Sequence, residues 1–230
     1  MGFQEQKQNF QLRKKPNTGC IRRWPSQDAK NWCIKFFNNA LNLLDLDAIV
    51  AIGSSIREVP YSADVDLLII YHSKKPALNN PPIDVDIHMY ERSKIDTLIS
   101  NGHELLVWAI QLGCLVIEQN SYWTNLSERW KNQAPFPSAE KAALSTSRSK
   151  KIYMKLSLLG DEDAKFEEYI TMLTHLARER LLRAGKFPYS RPELPGQLRL
   201  IGENSLSKKF EAALIKRSKL YGQKFVQLHN

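Results

Sequence analysis

The segment LDAIVAIGSS (Leu46–Ser55) is followed, after a short gap, by ADVDLLIIY (Ala63–Tyr71) and then by IDVDIHMY (Ile83–Tyr90). The first is a run of apolar and β-branched residues closed by Gly53-Ser54, which predicts a short buried strand ending in a tight bend. The second predicts another buried strand and the third a strand with strict alternation. In a strand, residues two apart share a face, so Asp64 and Asp66 are expected to project together with Val65 and Leu67 behind them. Their Cα atoms should lie about 6.6 Å apart. Carboxylates that close repel unless a cation neutralises them. Mg²⁺, bound by one or two carboxylates plus substrate phosphates, suits the pair. The third strand offers Asp84 and Asp86 on one face. If it pairs beside the second, a third carboxylate joins the cluster, enough for two divalent ions astride an in-line phosphoryl displacement.

The bend has its own expected chemistry. Gly53 lets the backbone approach a ligand. Free N–H groups and the Ser54 hydroxyl, at what reads as the start of a helical turn running towards Pro60, would hold a triphosphate. Arg57 would add charge against the outer phosphates.

Outward from this centre the pattern is helical. Trp24-Pro25-Ser26 is a helix entry with Ser26 as N-cap, predicting a helix over about 27–44. His72–Pro82 reads as a loop, and helical periodicity returns from Ser93 to about Gln119, interrupted at Asn101-Gly102 and Gly113. The second half reads as all helix. Ser138 caps a helix to Leu159, Gly160 closes it, and a second helix over about 161–184 carries an apolar stripe through Phe166, Ile170, Leu173, Ala177 and Leu181. Shorter helices are expected near 192–202 and 205–220. The organisation predicted is a basic arm (1–23), an α/β unit (24–120) and a helical unit (121–230): an α+β chain with a small mixed sheet flanked by helices, followed by an all-helical bundle.

Composition narrows the function. The 230 residues hold 33 Lys and Arg against 24 Asp and Glu, a net charge of +9, which favours a polyanionic partner such as nucleic acid or a phosphate-bearing ligand. No apolar run has the length of a membrane helix, and the N-terminus lacks a secretory apolar region. Three widely spaced cysteines (Cys20, Cys33, Cys114) without a CxxC pair fit neither a disulfide scaffold nor a cysteine zinc site, so a reducing cytoplasm is expected. The five histidines form no HExxH, which argues against a zinc hydrolase.

Ile52-Gly53-Ser54, Asp64-Val65-Asp66-Leu67 and Val85-Asp86-Ile87, taken together, resemble the signature of the DNA polymerase beta-type nucleotidyltransferase superfamily, in particular members with a minimal nucleotidyltransferase domain and a helical C-terminal domain. The resemblance covers about residues 46–90. The stretch from Ala177-Arg178 to Ser190-Arg191-Pro192-Glu193-Leu194 is similar, less specifically, to the helical tail of such proteins. The resemblance implies that Asp64 and Asp66 ligate two Mg²⁺ ions, with Mn²⁺ as a substitute. Asp86 would complete the second site and help activate the incoming hydroxyl. Ser54 would hold the β- and γ-phosphates of a nucleoside triphosphate. VDIHMYERSKIDTL resembles the family's third strand running into its next helix, which favours Asp86 over Asp84, although both are expected to face the same way. The implied reaction moves a nucleoside monophosphate to an acceptor hydroxyl on RNA or tRNA, a protein or a small molecule. An antitoxin-like or regulatory binding protein on the same fold is the alternative.

Other residues read more plainly. His88 lies on the Asp84/Asp86 face and is expected to be structural, with a substrate contact as the alternative. Lys150, Lys151 and Lys155 are expected to be a solvated basic face. Trp108, Trp123 and Trp130 are expected in the core or between domains, with base stacking as the alternative, and Tyr189–Glu193 as a loop and helix entry, with a substrate role as the alternative. No His closely follows Arg148, Arg178 or Arg180, which disfavours a ribonuclease in the helical half.

Overall fold

The computed structural model describes residues 15–59 and 62–220; most of the basic arm, Pro60 and His229 lie outside them. The chain is α+β. Four strands, β1 (Leu46–Ile52), β2 (Val65–Tyr71), β3 (Val85–Glu91) and β4 (Cys114–Glu118), form one sheet in the order β3-β2-β1-β4. β1 runs antiparallel to both β2 and β4, while β2 and β3 are parallel. β1 is buried along its whole length, which is why LDAIVAI is apolar at both parities except at Asp47, which pairs with Arg92 at 3.3 Å. Leu46, Ile49 and Ala51 face α1 (Gln27–Ala40). Ala48, Val50 and Ile52 face α2 (Arg92–Ser100), α3 (Glu104–Leu112) and α4 (Tyr122–Trp130). The second face matters most here: Leu68 and Ile70 lie on it, and by strand alternation so does Asp66.

The capping predictions hold. Ser26 accepts from the Ala29 N–H and Ser138 from the Lys141 N–H at 3.0 and 3.1 Å. α5 (Ala139–Leu159) and α6 (Glu162–Arg183) form a long hairpin, with Asp161 capping α6 and Gly160 between them. α7 (Leu194–Leu200) and α8 (Asn204–Leu220) complete a third core with α6, through Ile170, Leu173, Leu181, Leu198, Phe210 and Leu214. α4, just past residue 120, packs on the sheet through Trp123 and Leu126. No helix among the described residues is long and apolar enough to cross a membrane.

Three expectations are corrected. The first helix ends at Ala40 rather than Leu44, and residues 43–46 close turns by backbone hydrogen bonds before β1. The helical pattern over 93–119 resolves into α2, α3 and a strand. The apolar run after Gly113 is taken up by pairing with β1, and Gly113 permits the change of direction, since a Cβ there would lie 2.4 Å from the Ala109 carbonyl oxygen and 2.8 Å from Val50. Sheet contacts override helical periodicity here. β2 and β3 each begin two residues later than expected, at Val65 and Val85.

Candidate active site at the end of the sheet

β1 ends where β2 and β3 begin, so three chain segments meet at one end of the sheet. The parallel register sets Asp66 directly beside Asp86, while the antiparallel register sets Asp66 beside Ile52, the residue before Gly53. Gly53 has φ +77°, and a Cβ on it would lie 2.1 Å from Asp66 Oδ2. Only glycine lets the bend close over that carboxylate. A cavity of about 620 Å³ opens at this point, and Gly53, Ser54, Asp64, Asp66 and Asp86 all line it.

The acids are strained electrostatically. Asp66 is pushed up to about 7, first by burial and then by the charges of Asp64 and Asp86. Asp64 is also raised, by burial foremost, with the Arg191 charge opposing and Asp86 adding. His88, two residues along β3, joins them: one ligand atom each from Asp66, Asp86 and His88 lie within 4.8 Å of one another. Two carboxylates and an imidazole, with one carboxylate held off full ionisation by burial and then by its neighbours, are a donor set that a divalent cation fits, because the cation would offset both the lost solvation and the repulsion. The strand parity that placed Asp86 on this face also places His88 and Tyr90 there, so His88 stands with the acidic group.

Three expected placements change. Asp84 does not line the cavity; it precedes β3, and its charge bears instead on Cys33, raising that thiol to about 12 together with the larger effect of burial. The bend leads into a single 3₁₀ turn (Ser54–Ile56), too short for the expected helix N-terminus. The Ser54 hydroxyl shares a 2.6 Å hydrogen bond with Ser62, whose Oγ donates to the Asp64 carbonyl at 2.7 Å, so it is tied to the segment carrying Asp64. Arg57 is turned away. Its Nη2 and Nε donate to Glu193 at 2.8 and 3.1 Å, its guanidinium lies 5.1 Å from the Tyr189 ring, and it does not line the cavity.

The opposite wall comes from the helical half. Arg178 of α6, Arg217 of α8 and Arg191, in the 3₁₀ turn before α7, face the acids. Arg178 pairs with Glu104 at 2.6 Å and Arg217 with Glu167 at 2.9 Å. Arg191 makes no salt bridge with a described residue. Burial foremost, then the charges of Arg178 and Arg217, lower its affinity for its proton, while Asp64 and Glu167 oppose them. The turn is rigid, because Glu193 accepts from both the Ser190 N–H and hydroxyl while holding Arg57. The stretch Tyr189–Glu193, read as a loop and helix entry, is thus also a wall of the cavity. The signal available for this was the charge of Arg191 and Glu193 at a helix entry, without anything to say which acids it faces.

A third side is aromatic. Tyr90, His103 and Trp108 line the cavity beyond His88. The rings of Tyr90 and His103 meet edge-on at 5.4 Å, and burial foremost favours the neutral His103 imidazole. Trp108 packs against both sheet cores yet reaches this wall; Trp123 is fully core.

No protein-family model matches the chain, and none of the curated proteins does. Among solved structures, it is similar to a nucleotidyltransferase-like protein from Exiguobacterium sibiricum, with a TM-score of 0.34 and 20% identity over 81% of this chain and 72% of that one.

Proposed function

We propose that this cavity is the active site of a divalent-cation-dependent nucleotidyltransferase, which moves a nucleoside monophosphate from a nucleoside triphosphate to an acceptor hydroxyl and releases pyrophosphate. One observation carries the reading: Asp66 and Asp86 stand side by side in parallel register, with Asp64 and His88 beside them, across a cavity from three arginines. Asp64, Asp66 and Asp86, with His88, are the residues that would hold magnesium or manganese. Bound there, the cations would neutralise charge on the reacting phosphate and lower the pKa of the acceptor hydroxyl. Gly53 and Ser54 would set the triphosphate against the acids. Arg191, facing them and without a salt bridge among the described residues, would take the phosphate oxygens that become the pyrophosphate, where a guanidinium binds two oxygens at once. In the transfer the bond from the acceptor oxygen to the α-phosphorus forms and the bond from that phosphorus to the bridging oxygen of pyrophosphate breaks. The acceptor proton passes to a carboxylate oxygen, Asp86 Oδ being available on the β3 side. Positioning and charge complementarity carry the chemistry.

The test is incubation of the purified chain with each α-labelled triphosphate and Mg²⁺ or Mn²⁺ against RNA, protein and small-molecule acceptors. Transfer that disappears in Asp66→Asn, with circular dichroism unchanged, supports the proposal. Equal turnover in the variant rejects it.

A further inference from the structure

We infer that the acceptor is the 3′ end of a single-stranded polynucleotide, its terminal nucleoside seated against Tyr90, His103 and Trp108 and its phosphates following a line of cations on α5; the proposal rests on the transferase reading above. The aromatic wall continues directly from Asp86 along β3, since Asp86, His88 and Tyr90 share one face of that strand. The hydroxyl to be activated therefore belongs to a group lying on these rings. The Trp108 ring, anchored against both sheet cores, lines the cavity together with the rings of Tyr90 and His103, and such a wall suits a base, which stacks on aromatic side chains whatever its identity.

Charge excludes a polycationic acceptor. Beyond the cation-binding group, the carboxylate on this wall among the described residues is Glu104, and Arg178 already neutralises it at 2.6 Å. An aminoglycoside or polyamine would find arginines and no free acid.

The way out of the cavity points to length. The chain entering α5 passes beside the aromatic wall: a Cβ on Gly102, next to His103, would lie 3.1 Å from the Phe136 carbonyl oxygen, three residues before the helix, and the charge of Lys141 in its first turn bears on the His103 ring. Lys141, Arg148, Lys151 and Lys155 are all exposed, and their steps of seven, three and four residues keep them on one side of the helix. Ala142 and Ser149 are buried, and the Tyr153 ring meets that of Tyr169 on α6 at 5.9 Å, so the cations lie away from the face packed on α6. From Lys141 to Lys155 the row spans about 21 Å. The helix holds one acid, Glu140, which pairs with Arg183, and none of the four cations forms an ion pair among the described residues. A row of unpaired cations leading away from a ring-lined pocket matches a strand of phosphates ending in a base.

Two measurements on the full chain decide it. The first is anisotropy of short fluorescein-labelled RNA and DNA single strands without triphosphate. At low salt the wild type should bind, and the charge reversal Lys141→Glu, Arg148→Glu, Lys151→Glu, Lys155→Glu, confined to exposed positions, should weaken binding about tenfold or more and flatten its salt dependence. Trp108→Phe, which keeps an aromatic ring, should bind more tightly than Trp108→Ala. The second is label transfer to the same strand with a free or a blocked 3′-hydroxyl, beside a tyrosine-bearing peptide and an aminoglycoside. Label on the free 3′ end alone supports the proposal, and preference between RNA and DNA names the strand. Label on the peptide or aminoglycoside and none on the strands overturns it while the transferase reading stands. Strand binding that depends on α5, with no transfer to anything, keeps the polynucleotide seat and removes the transferase reading. Strand binding unaffected by the reversal, or no binding at all, overturns the proposal.

Discussion

The acidic and basic walls of the cavity are held by different means. Asp66 and Asp86 sit on adjacent strands, and their spacing is set by the main-chain hydrogen bonds of the β2–β3 ladder. Arg178, Arg191 and Arg217 come from two helices and a turn, and long side chains reach across. Their placement depends on how the helical half packs on the sheet half, with the ion pairs Arg57–Glu193 and Arg178–Glu104 joining the two. A wall fixed by backbone can tolerate close like charges, because the ladder prevents the carboxylates from moving apart. A wall fixed by side chains can respond to a ligand. Substitutions should therefore act differently on the two sides.

The largest effect is expected at the acidic wall. Asp66→Asn should lower transfer by roughly 10²–10³-fold with the fold intact, read by single-turnover kinetics at saturating triphosphate. On the basic wall, Arg191→Ala should act on triphosphate binding, raising KM by roughly ten- to a hundredfold, with partial recovery in Arg191→Lys. A loss confined to kcat would place Arg191 in another role.

The strain in the acids has a pH signature. Asp66 in the folded chain titrates near 7, above its ordinary value near 3.8. Between those values the folded state binds the proton that the unfolded state has released, so cation-free stability falls as pH rises through that window. In a chelator, Asp66→Asn should melt above the wild type at pH 8, by on the order of a few kcal/mol, and match it near pH 4. Added Mn²⁺ should close the gap at pH 8 by stabilising the wild type. A variant no more stable than the wild type at pH 8 would mean that burial and the neighbouring carboxylates do not disfavour the Asp66 charge.

Arg57 separates a structural cation from a ligand-binding one. Arg57→Ala should cost about 1–3 kcal/mol in urea denaturation, since it leaves Glu193 without its charged partner at a half-buried contact, and should leave triphosphate KM near wild type. A KM rise equal to that of Arg191→Ala would return Arg57 to the ligand. The smallest effect concerns the hairpin alone: Ser138→Ala should lower stability by about 1 kcal/mol through loss of the α5 cap, visible as a shifted melting midpoint with triphosphate binding unchanged.

Local signals in the chain were enough for the bend at Gly53-Ser54, the DVD strand, three of the four strands and the helix caps at Ser26 and Ser138. Each rests on contacts within a few residues. β4 was hidden because Cys114–Glu118 continues an apolar run that suits a helix equally well, and only the vacancy beside β1 makes it a strand. His88 shared a face with Asp86 by simple alternation, but whether that face turned to solvent, core or ligand was not a local property.

Residue order alone therefore determined that Asp86 and His88 share a strand face and that a glycine bend closes β1, because strand parity and turn chemistry are local geometry. The pairing of β3 beside β2 decided which third acid joins Asp64 and Asp66, and the packing of the helical half decided that Arg57 pairs with Glu193 and that Arg191 completes the cavity. The partners in each case lie far apart in the chain, and a cation's preference among several carboxylates is settled only by distance and burial once the chain has folded.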